Sequence, residues 1–136
     1  MEAAPQYVVD TDVISYAFRG DPRSEPFGRY LEHGELAVLF MTVAELDRWA
    51  AQRAWGASRQ ERMERYLERF VTVLVDRALC RRWATVIDGA RRNGRPIQVA
   101  DAWIAATALA LGLPLVTNNR ADYAGVEGLR LAPAER

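Results

Sequence analysis

The chain has 136 residues, of which 50% are hydrophobic and 26% are charged, a composition typical of a globular domain with an apolar core. This composition excludes collagen, a coiled coil and a disordered chain. No apolar run approaches the ~18 residues that a transmembrane helix needs, and the first residues lack the pattern of a signal peptide. We therefore expect one domain over residues 1–136 in a soluble, cytoplasmic protein.

Charge and single residue types narrow the possible chemistry. Eighteen basic residues balance eighteen acidic ones, so net charge alone does not attract nucleic acid. All the basic residues are arginine, which excludes a Walker A phosphate loop and a Schiff-base lysine. No glycines form the G-x-G pattern, and no serine lies in a G-x-S-x-G motif. A lone histidine, His33, beside a predicted helix end, and a lone cysteine, Cys80, argue against a Ser–His or Cys–His pair and a cysteine zinc cluster.

Short apolar runs, typical of strands, alternate with segments of helical periodicity. In chain order the predicted elements are a strand at 6–9, helices at 11–18 and 24–33, a strand at 36–41, helices at 42–55 and 58–70, a strand at 71–75, helices at 76–92 and 99–111, a strand at 113–116, a polar turn at 117–123 and an edge strand at 129–131. The continuous run 36–41 predicts a strand buried on both faces. The alternation predicts an α/β domain with a mostly parallel central sheet flanked by helices.

Several polar residues stand where helix caps are expected. Thr42-Val-Ala-Glu45 and Ser58-Arg-Gln-Glu61 have the spacing of a capping box, in which two side chains satisfy backbone N–H groups reciprocally. Asp76 directly precedes a helical pattern and is predicted to cap it. These three positions predict where three helices begin.

Four acidic residues are predicted to lie at one edge of the sheet. Asp10 follows the first strand, Glu45 the second, Asp101 begins the alanine-rich helix, and Asp122 lies in the turn after a later strand. Each alone is explained by a helix cap or a turn. Together they favour a site, because ligands bind beyond the carboxyl ends of parallel strands. Asp101 is the sharpest case, since an uncompensated charge among apolar residues is costly.

Converging carboxylates cannot all stay ionised unless a cation lies among them. Oxygen ligands without histidine or thiolate select hard ions, so the predicted metal is Mg²⁺ or Mn²⁺. Such an ion lowers the pKa of a bound water and neutralises charge that builds on a phosphate. Chemistry of this kind needs no histidine.

Four segments of the chain form a recognisable set. They are Tyr7-Val-Val-Asp10-Thr-Asp-Val-Ile-Ser15, Thr42-Val-Ala-Glu45-Leu, Gly94-Arg-Pro-Ile with Ala100-Asp101-Ala-Trp-Ile-Ala-Ala-Thr-Ala, and Leu115-Val-Thr117-Asn-Asn-Arg-Ala-Asp122-Tyr. In order and spacing they resemble the PIN-domain ribonucleases, and most closely the VapC-type toxins of bacterial toxin–antitoxin pairs, over nearly the whole chain. The resemblance implies a PIN-like three-layer fold and a toxin that cleaves RNA by metal-assisted hydrolysis of phosphodiesters. It also implies that the toxin is neutralised by a small VapB-like antitoxin and forms a homodimer.

The resemblance also assigns roles to residues. It implies that Asp10, Glu45 and Asp101 form the acidic metal-binding core, with Asp122 as the fourth acid. A carboxylate is a stronger ligand for Mg²⁺ than an amide. We therefore expect Asp122 to supply the fourth charge.

Four further residues support this site. Ser15 and Thr117 match polar positions of the family that can hold water or a phosphate oxygen. Asp12 stands where the family usually has asparagine, and Asn119 stands where some relatives carry an acid. We expect Asn119 to orient water or phosphate, while Asp12 either alters metal affinity or caps the helix.

Two other functions are compatible with parts of the sequence. Val9-Asp10-Thr-Asp12-Val resembles the D-x-D-x-V signature of haloacid-dehalogenase-type phosphotransferases, with Asp10 as the nucleophile and Asp12 as the general acid. That function leaves Glu45 without a role. The second alternative is a catalytically inactive PIN-like module that only binds a partner.

RNA that approaches an acidic pocket needs cations at the rim of that pocket. The candidates are Arg19, Arg23, Arg48, Arg53, Arg91, Arg92 and Arg95. The arginines of the helix at 58–70 are interpreted as a solvated helix face. Four tryptophans exceed what a small core needs, so we expect some of them to line an interface: Trp49, Trp55, Trp83 and Trp103.

Overall fold

The structure is a computed structural model that describes residues 4–133, with the backbone alone described at His33. Its strands and α-helices in chain order are β1 (Tyr7–Val9), α1 (Thr11–Arg19), α2 (Gly28–His33), β2 (Leu36–Leu39), α3 (Phe40–Gln52), α4 (Ala57–Leu67), β3 (Val71–Val73), α5 (Arg77–Arg92), α6 (Val99–Leu111), β4 (Leu115–Val116) and β5 (Leu131–Ala132). Short 3₁₀ helices lie at Pro22–Phe27 and Arg120–Tyr123. Residues 1–3 and 134–136 of the predicted domain lie outside the described residues. Within that described part, no helix is long and apolar enough to cross a membrane.

Across residues 4–133 the strands form one parallel sheet in the order β3-β2-β1-β4-β5. β1 lies at its centre and pairs with β2 through Tyr7 and Leu36, and with β4 through Val8 and Leu115. Parallel strands bring their carboxyl ends to one edge of the sheet. The predicted α/β fold is confirmed, and the sheet of the described residues is parallel throughout.

Helices cover both faces of the sheet. Val8 and Val9 are neighbours in β1 and point to opposite faces, as alternate strand residues do. Val9 belongs to a cluster with Ile14 of α1 and Met63 of α4. Val8 belongs to a second cluster, which includes Ile104 of α6. The resulting order of helix, sheet and helix is the three-layer arrangement that the resemblance implies.

The start of α3 corrects one predicted cap. All residues of β2 are buried, as the apolar run predicts, but the strand ends at Leu39 and α3 begins at Phe40. Thr42 therefore lies inside the first turn, where it is fully buried, and no side chain caps the helix. The capping box of Thr42 and Glu45 is wrong, because tertiary contacts hold both side chains.

Two further caps have opposite outcomes. Asp76 accepts a hydrogen bond from the Leu79 N–H at 2.7 Å and caps α5, as predicted. The capping box that begins at Ser58 is wrong, because the residue before the first turn of α4 is Gly56, two positions earlier, and Ser58 lies inside the helix. The predicted helix 24–33 is divided into the 3₁₀ helix Pro22–Phe27, which contains Pro26, and α2.

The tryptophans pack on the core. Trp55 is buried at 8% exposure, and Trp49 packs on the same cluster. Trp83 and Trp103 stack with ring centroids 5.2 Å apart, and Phe40 meets Trp103 edge to face at 5.8 Å. These contacts explain the tryptophan content by core packing, and the expected interface remains a prediction.

Candidate active site

Asp10 lies where β1 ends and α1 begins. Its N–H donates to the Val116 carbonyl at 2.9 Å, which extends the pairing of the sheet. Its own backbone is extended, and its Oδ1 accepts from the Thr11 N–H at 2.8 Å, so Asp10 is the N-cap of α1. The carboxylate is only 5% exposed. The chain therefore buries an acid at the carboxyl edge of its central strand.

Two hydroxyl groups hold the other oxygen of Asp10. Oδ2 accepts from Thr117 Oγ1 and from the Tyr123 hydroxyl, each at 2.8 Å. The same Tyr123 oxygen lies 3.5 Å from Oδ1 of Asp101 on α6. Tyr123 is 2% exposed and belongs to the second apolar cluster. One buried tyrosine thus connects the acids of β1 and α6.

Burial and mutual repulsion perturb these acids. Burial raises the pKa of Asp10, and the charge of Asp122 adds to this rise. The three hydrogen bonds that Asp10 accepts oppose it. Burial, followed by the charges of Asp10, Asp122 and Glu45, raises the pKa of Asp101 to about 6. Burial and the neighbouring carboxylates also raise the pKa of Tyr123, so its hydroxyl stays protonated and donates. Such shifts are characteristic of functional sites.

Glu45 reaches the site through Thr11. The Thr11 hydroxyl donates to Glu45 Oε1 at 2.9 Å and lies 2.9 Å from Thr42 Oγ1. Burial raises the pKa of Glu45, and the charge of Asp10 adds to the rise against the hydrogen bond from Thr11. The structure therefore directs Glu45 toward the carboxylates and away from the backbone of its own helix.

Asp12 and Asn119 face each other. The Asn119 side-chain amide donates to Asp12 Oδ2 at 2.7 Å, and the Val13 N–H donates to Oδ1 at 2.7 Å. The Asn119 N–H donates to Thr117 Oγ1 at 3.0 Å, which connects this pair to Asp10. Burial, and then the charge of Asp10, raise the pKa of Asp12 to about 7. The two departures from the family pattern are therefore one hydrogen-bonded pair of an acid and an amide.

Asp122 and Ser15 occupy different surroundings. Asp122 lies in the 3₁₀ helix after β4 with its side chain exposed, and its charge raises the pKa of both Asp10 and Asp101. Ser15 is 4% exposed and lies one helical turn after Thr11 on α1. Asp122 is thus close enough to act on the acids through its charge, and its role as a ligand remains a prediction.

Neither Tyr123 nor Thr11 was expected in the site, and Thr42 was expected only to cap a helix. A signal was available for Tyr123, because a tyrosine in an apolar setting needs a partner for its hydroxyl, and Thr117 and Asp122 stand nearby in the sequence. No comparable signal marks Thr11 and Thr42. Their contact joins residues 31 positions apart and depends on how α1 packs against α3.

The donor chemistry of this edge suits a hard divalent ion. The perturbed groups offer carboxylate and hydroxyl oxygens, the ligands that Mg²⁺ and Mn²⁺ prefer. Asp10 Oδ1 accepts one hydrogen bond, while Oδ2 accepts two, so Oδ1 keeps a free lone pair. Among residues 4–133, no three acidic, histidine or cysteine side chains are arranged to hold a metal ion in this conformation.

The geometry does not favour a phosphotransferase. A nucleophilic aspartate needs an oxygen that substrate can reach, whereas Asp10 is only 5% exposed. Asp12, the general acid of that alternative, is held by Asn119. Glu45, which that alternative leaves unused, is part of the observed cluster.

Residues 7–127 match the PIN domain family, and the chain belongs to that family. Similar proteins within it include Ribonuclease VapC1 of Haemophilus influenzae, which is 28% identical over 130 residues covering 91% of this chain and 94% of the relative. The tRNA(fMet)-specific endonuclease VapC of Shigella flexneri is 28% identical, with 92% of this chain and 95% of the relative covered. The resemblance to VapC-type PIN ribonucleases is confirmed.

Solved structures agree with this fold. FitAcB from Neisseria gonorrhoeae superposes with a TM-score of 0.78 at 26% identity, covering 94% of this chain and 98% of that one. VapBC2 from Rickettsia felis, bound to a DNA fragment from its promoter, gives a TM-score of 0.80 at 21% identity and covers 92% of this chain and 96% of that one. The PIN-like fold is confirmed.

Proposed function

We propose that this protein is a Mg²⁺- or Mn²⁺-dependent endoribonuclease and the toxin of a VapBC-type toxin–antitoxin pair. One observation carries the proposal: Asp10 after β1, Glu45 of α3 and Asp101 of α6 lie at one edge of the sheet, where burial and the charge of Asp10 raise the pKa of both other acids. Relatives over most of the chain are ribonucleases, which supports RNA as the substrate. No lysine or histidine chemistry is required.

Each residue of the cluster has a defined task in this proposal. Asp10 through Oδ1, together with Glu45 and Asp101, would hold the ion, and Asp122 would add charge directly or through water. Thr117 and Tyr123 fix Oδ2 of Asp10, so the carboxylate cannot rotate when substrate arrives. When bound, the ion supplies a water of lowered pKa and neutralises charge on the phosphate.

A small antitoxin is the proposed partner. The structure of VapBC-1 from nontypeable Haemophilus influenzae is similar to this chain at 25% identity with a TM-score of 0.71, which supports a comparable complex. We expect a cationic segment of that antitoxin to reach the carboxylates, since an arginine fork pairs well with carboxylate oxygens. A homodimer in the cytoplasm completes the proposal.

Metal binding and RNA cleavage test the nuclease directly. Calorimetric titration with Mn²⁺ at pH 7.5, paired with cleavage of labelled RNA with and without EDTA, should show binding and metal-dependent cleavage in the wild type. Both should be lost in Asp101→Asn. Metal binding without cleavage of any RNA would favour the inactive module, and a phosphorylated Asp10 trapped from a phosphate ester would favour the phosphotransferase.

Expression tests the toxin part of the proposal. Induction in a bacterial host should arrest growth, and co-expression of an adjacent antitoxin gene should restore it and give a complex that co-purifies. The matched control is Asp101→Asn, which should be harmless yet still bind the antitoxin. Growth that continues with intact RNA and soluble wild-type protein would contradict the toxin function.

A further inference from the structure

The charges of α4 and of the turn after it are segregated. Arg59, Arg62 and Arg69 recur at helical spacing and share one side with Tyr66; we call them the arginine flank. The opposite side carries the glutamates Glu61, Glu64 and Glu68. The helix buries Met63 and Leu67 between the two sides. In a chain of zero net charge, α4 thus concentrates positive charge along one line.

Each arginine of the flank lies over an aromatic ring. The distances from guanidinium carbon to ring centroid are 4.4 Å for Arg59 over Trp55, 5.4 Å for Arg62 over Phe18 and 5.3 Å for Arg69 over Tyr66. Phe18 of α1 contacts both other rings, with centroids 5.7 Å from Trp55 and 5.9 Å from Tyr66. The three guanidinium groups therefore rest on one continuous aromatic surface that restricts their motion.

The arginines of the flank pack on aromatic rings but are not paired with acids. Within residues 4–133, no acid forms an ion pair with Arg59, Arg62 or Arg69. Arg69 makes only a long 3.5 Å contact with the Leu31 carbonyl, and the buried Nε of Arg59 has no hydrogen-bond partner. Arg62 and Arg69 are exposed, so their guanidinium N–H groups are open to a ligand that supplies oxygens.

The expected rim arginines differ from this flank. Arg23 forms an ion pair with Asp21 at 2.7 Å, and Arg19 lies 3.9 Å from the same acid. On α5, Asp88 pairs with Arg91 at 2.8 Å and with Arg92 at 3.1 Å. These four candidates are matched with acids. Among the described residues, the other three, Arg48, Arg53 and Arg95, form no ion pair, and Arg53 lies over the Trp49 ring at 5.4 Å. The arginine flank on α4, a helix whose arginines were expected to form a solvated face, differs from them because its three guanidinium groups share one aromatic surface.

We propose that the arginine flank binds the phosphate backbone of single-stranded RNA that leads to the carboxylate site; this rests on the proposed ribonuclease function. A guanidinium lying on a ring keeps its N–H edge free to bind phosphate oxygens in pairs. From Arg59 to Arg69 the flank spans about 15 Å, enough to follow several phosphates. α1 connects the two sites, because Phe18 lies about 12 Å along the helix from Asp10.

The arginine flank offsets the repulsion between the acidic site and RNA. Carboxylates that hold a cation repel the rest of a polyanionic strand, so an RNA substrate needs attraction away from the reacting phosphate. The arginine flank supplies that attraction on the face of the sheet that carries α1, while α5 lies on the other face.

Binding can be measured apart from cleavage. In an Asp101→Asn parent with EDTA present, fluorescence anisotropy with a labelled 12-nucleotide oligouridylate compares Arg62→Gln/Arg69→Gln with Arg81→Gln/Arg82→Gln. The control removes the same charge from exposed residues of α5 on the other face. The flank variant should bind about tenfold more weakly at ~50 mM salt, and its log–log salt slope should be shallower by about 1.4. The control should match the parent.

A conservative variant separates charge from geometry. Arg62→Lys/Arg69→Lys keeps both charges but loses the planar forks, so its salt slope should match the parent while its affinity falls between parent and glutamine variant. Circular dichroism and thermal melting should show that all variants are folded.

The alternative results are distinct. Equal affinity of flank and control variants overturns this inference and leaves the ribonuclease proposal intact, provided that the parent binds RNA. No RNA binding by the parent and no cleavage by the wild type would overturn both. Unchanged RNA binding with loss of antitoxin co-purification would make the flank a protein-docking surface, which also overturns the inference.

Discussion

At the scale of single residues, Asp10 and Asp101 are acids of different kinds. Asp10 accepts from one backbone N–H and two hydroxyls, so part of its burial is compensated. Asp101 is half-buried, and burial together with the neighbouring charges raises its pKa to about 6. Only one contact, with the Tyr123 hydroxyl at 3.5 Å, stabilises its charged form and opposes this rise. Removing the charge should therefore affect stability differently at the two positions.

Replacing Asp101 or Asp10 by asparagine should affect stability in opposite directions. Asp101→Asn should lower RNA cleavage by at least about 100-fold through loss of a ligand charge, while the melting temperature of the metal-free protein holds or rises as repulsion is relieved. Asp10→Asn should also lose cleavage, but it should melt lower because an amide offers fewer acceptors to three donors. Cleavage assays and calorimetric melting with EDTA measure both effects. Full activity of purified Asp101→Asn would contradict the site.

Tyr123→Phe tests the hydroxyl that connects the two acids. The hydrogen bond from Tyr123 opposes the rise in the pKa of Asp10, so its loss should raise that pKa further. The pH midpoint for Mn²⁺ binding should shift upward, and unfolding should become easier by about 1 kcal/mol. Tyr7→Phe is the control, since Tyr7 packs edge to face on Tyr30 away from the acids. An unchanged pH midpoint would assign Tyr123 to packing alone.

Exchanging Asp12 and Asn119 should restore the stability that Asn119→Asp alone loses. Asn119→Asp places two carboxylates face to face and should lower the melting temperature at pH 8, whereas Asp12→Asn leaves two amides that can still bond. The double variant Asp12→Asn/Asn119→Asp restores one acid and one amide, so its coupling energy should be at least about 1 kcal/mol. Additive effects of the two changes in a thermal double-mutant cycle would contradict the pairing.

At the scale of elements, the helix starts give a prediction with a control in the same chain. Asp76→Ala should destabilise the protein by about 1 kcal/mol, because the Leu79 N–H loses its acceptor. Ser58→Ala should change stability by less than ~0.5 kcal/mol, since Ser58 is exposed inside α4 and caps nothing. Urea unfolding of both variants measures the difference. If both variants lost the same free energy of unfolding, Ser58 would be a helix cap after all.

Local patterns were enough to predict the parallel sheet, helices on both faces, and three acids at one edge. Apolar runs mark strands, and the edge follows from parallel pairing. The start of α3 could not be predicted in this way, because it depends on the burial of Thr42 against Thr11. Tyr123 was missed for a similar reason, since a 3₁₀ helix after β4 decides where its hydroxyl points.

At the scale of the whole molecule, the acidic cluster should make stability depend on pH. The pKa values of Asp12 and Asp101 rise from 3.8 to about 7 and about 6, so the folded state holds protons that the unfolded chain releases. Their contribution to stability is fully present below about pH 4 and is lost as pH rises through 6 and 7. The metal-free protein should therefore melt lower at pH 8 than at pH 5.

Two measurements check this dependence. Asp12→Asn/Asp101→Asn should flatten the melting temperature between pH 5 and 8, and Mn²⁺ should raise that of the wild type most at pH 8, where the carboxylates are ionised. A melting temperature that rises steadily from pH 5 to 8 in EDTA would contradict the raised pKa values.

The position of β1 has a consequence for synthesis. β1 lies at the centre of the sheet, yet its partner β4 comes late in the chain, and the donors to Asp10 Oδ2 lie 107 and 113 positions after it. During synthesis, Thr117 and Tyr123 are therefore added long after Asp10. The carboxylate cluster closes only after β4 and the following 3₁₀ helix have emerged. The proposed nuclease activity therefore requires that both of these segments have been synthesised and have folded against β1.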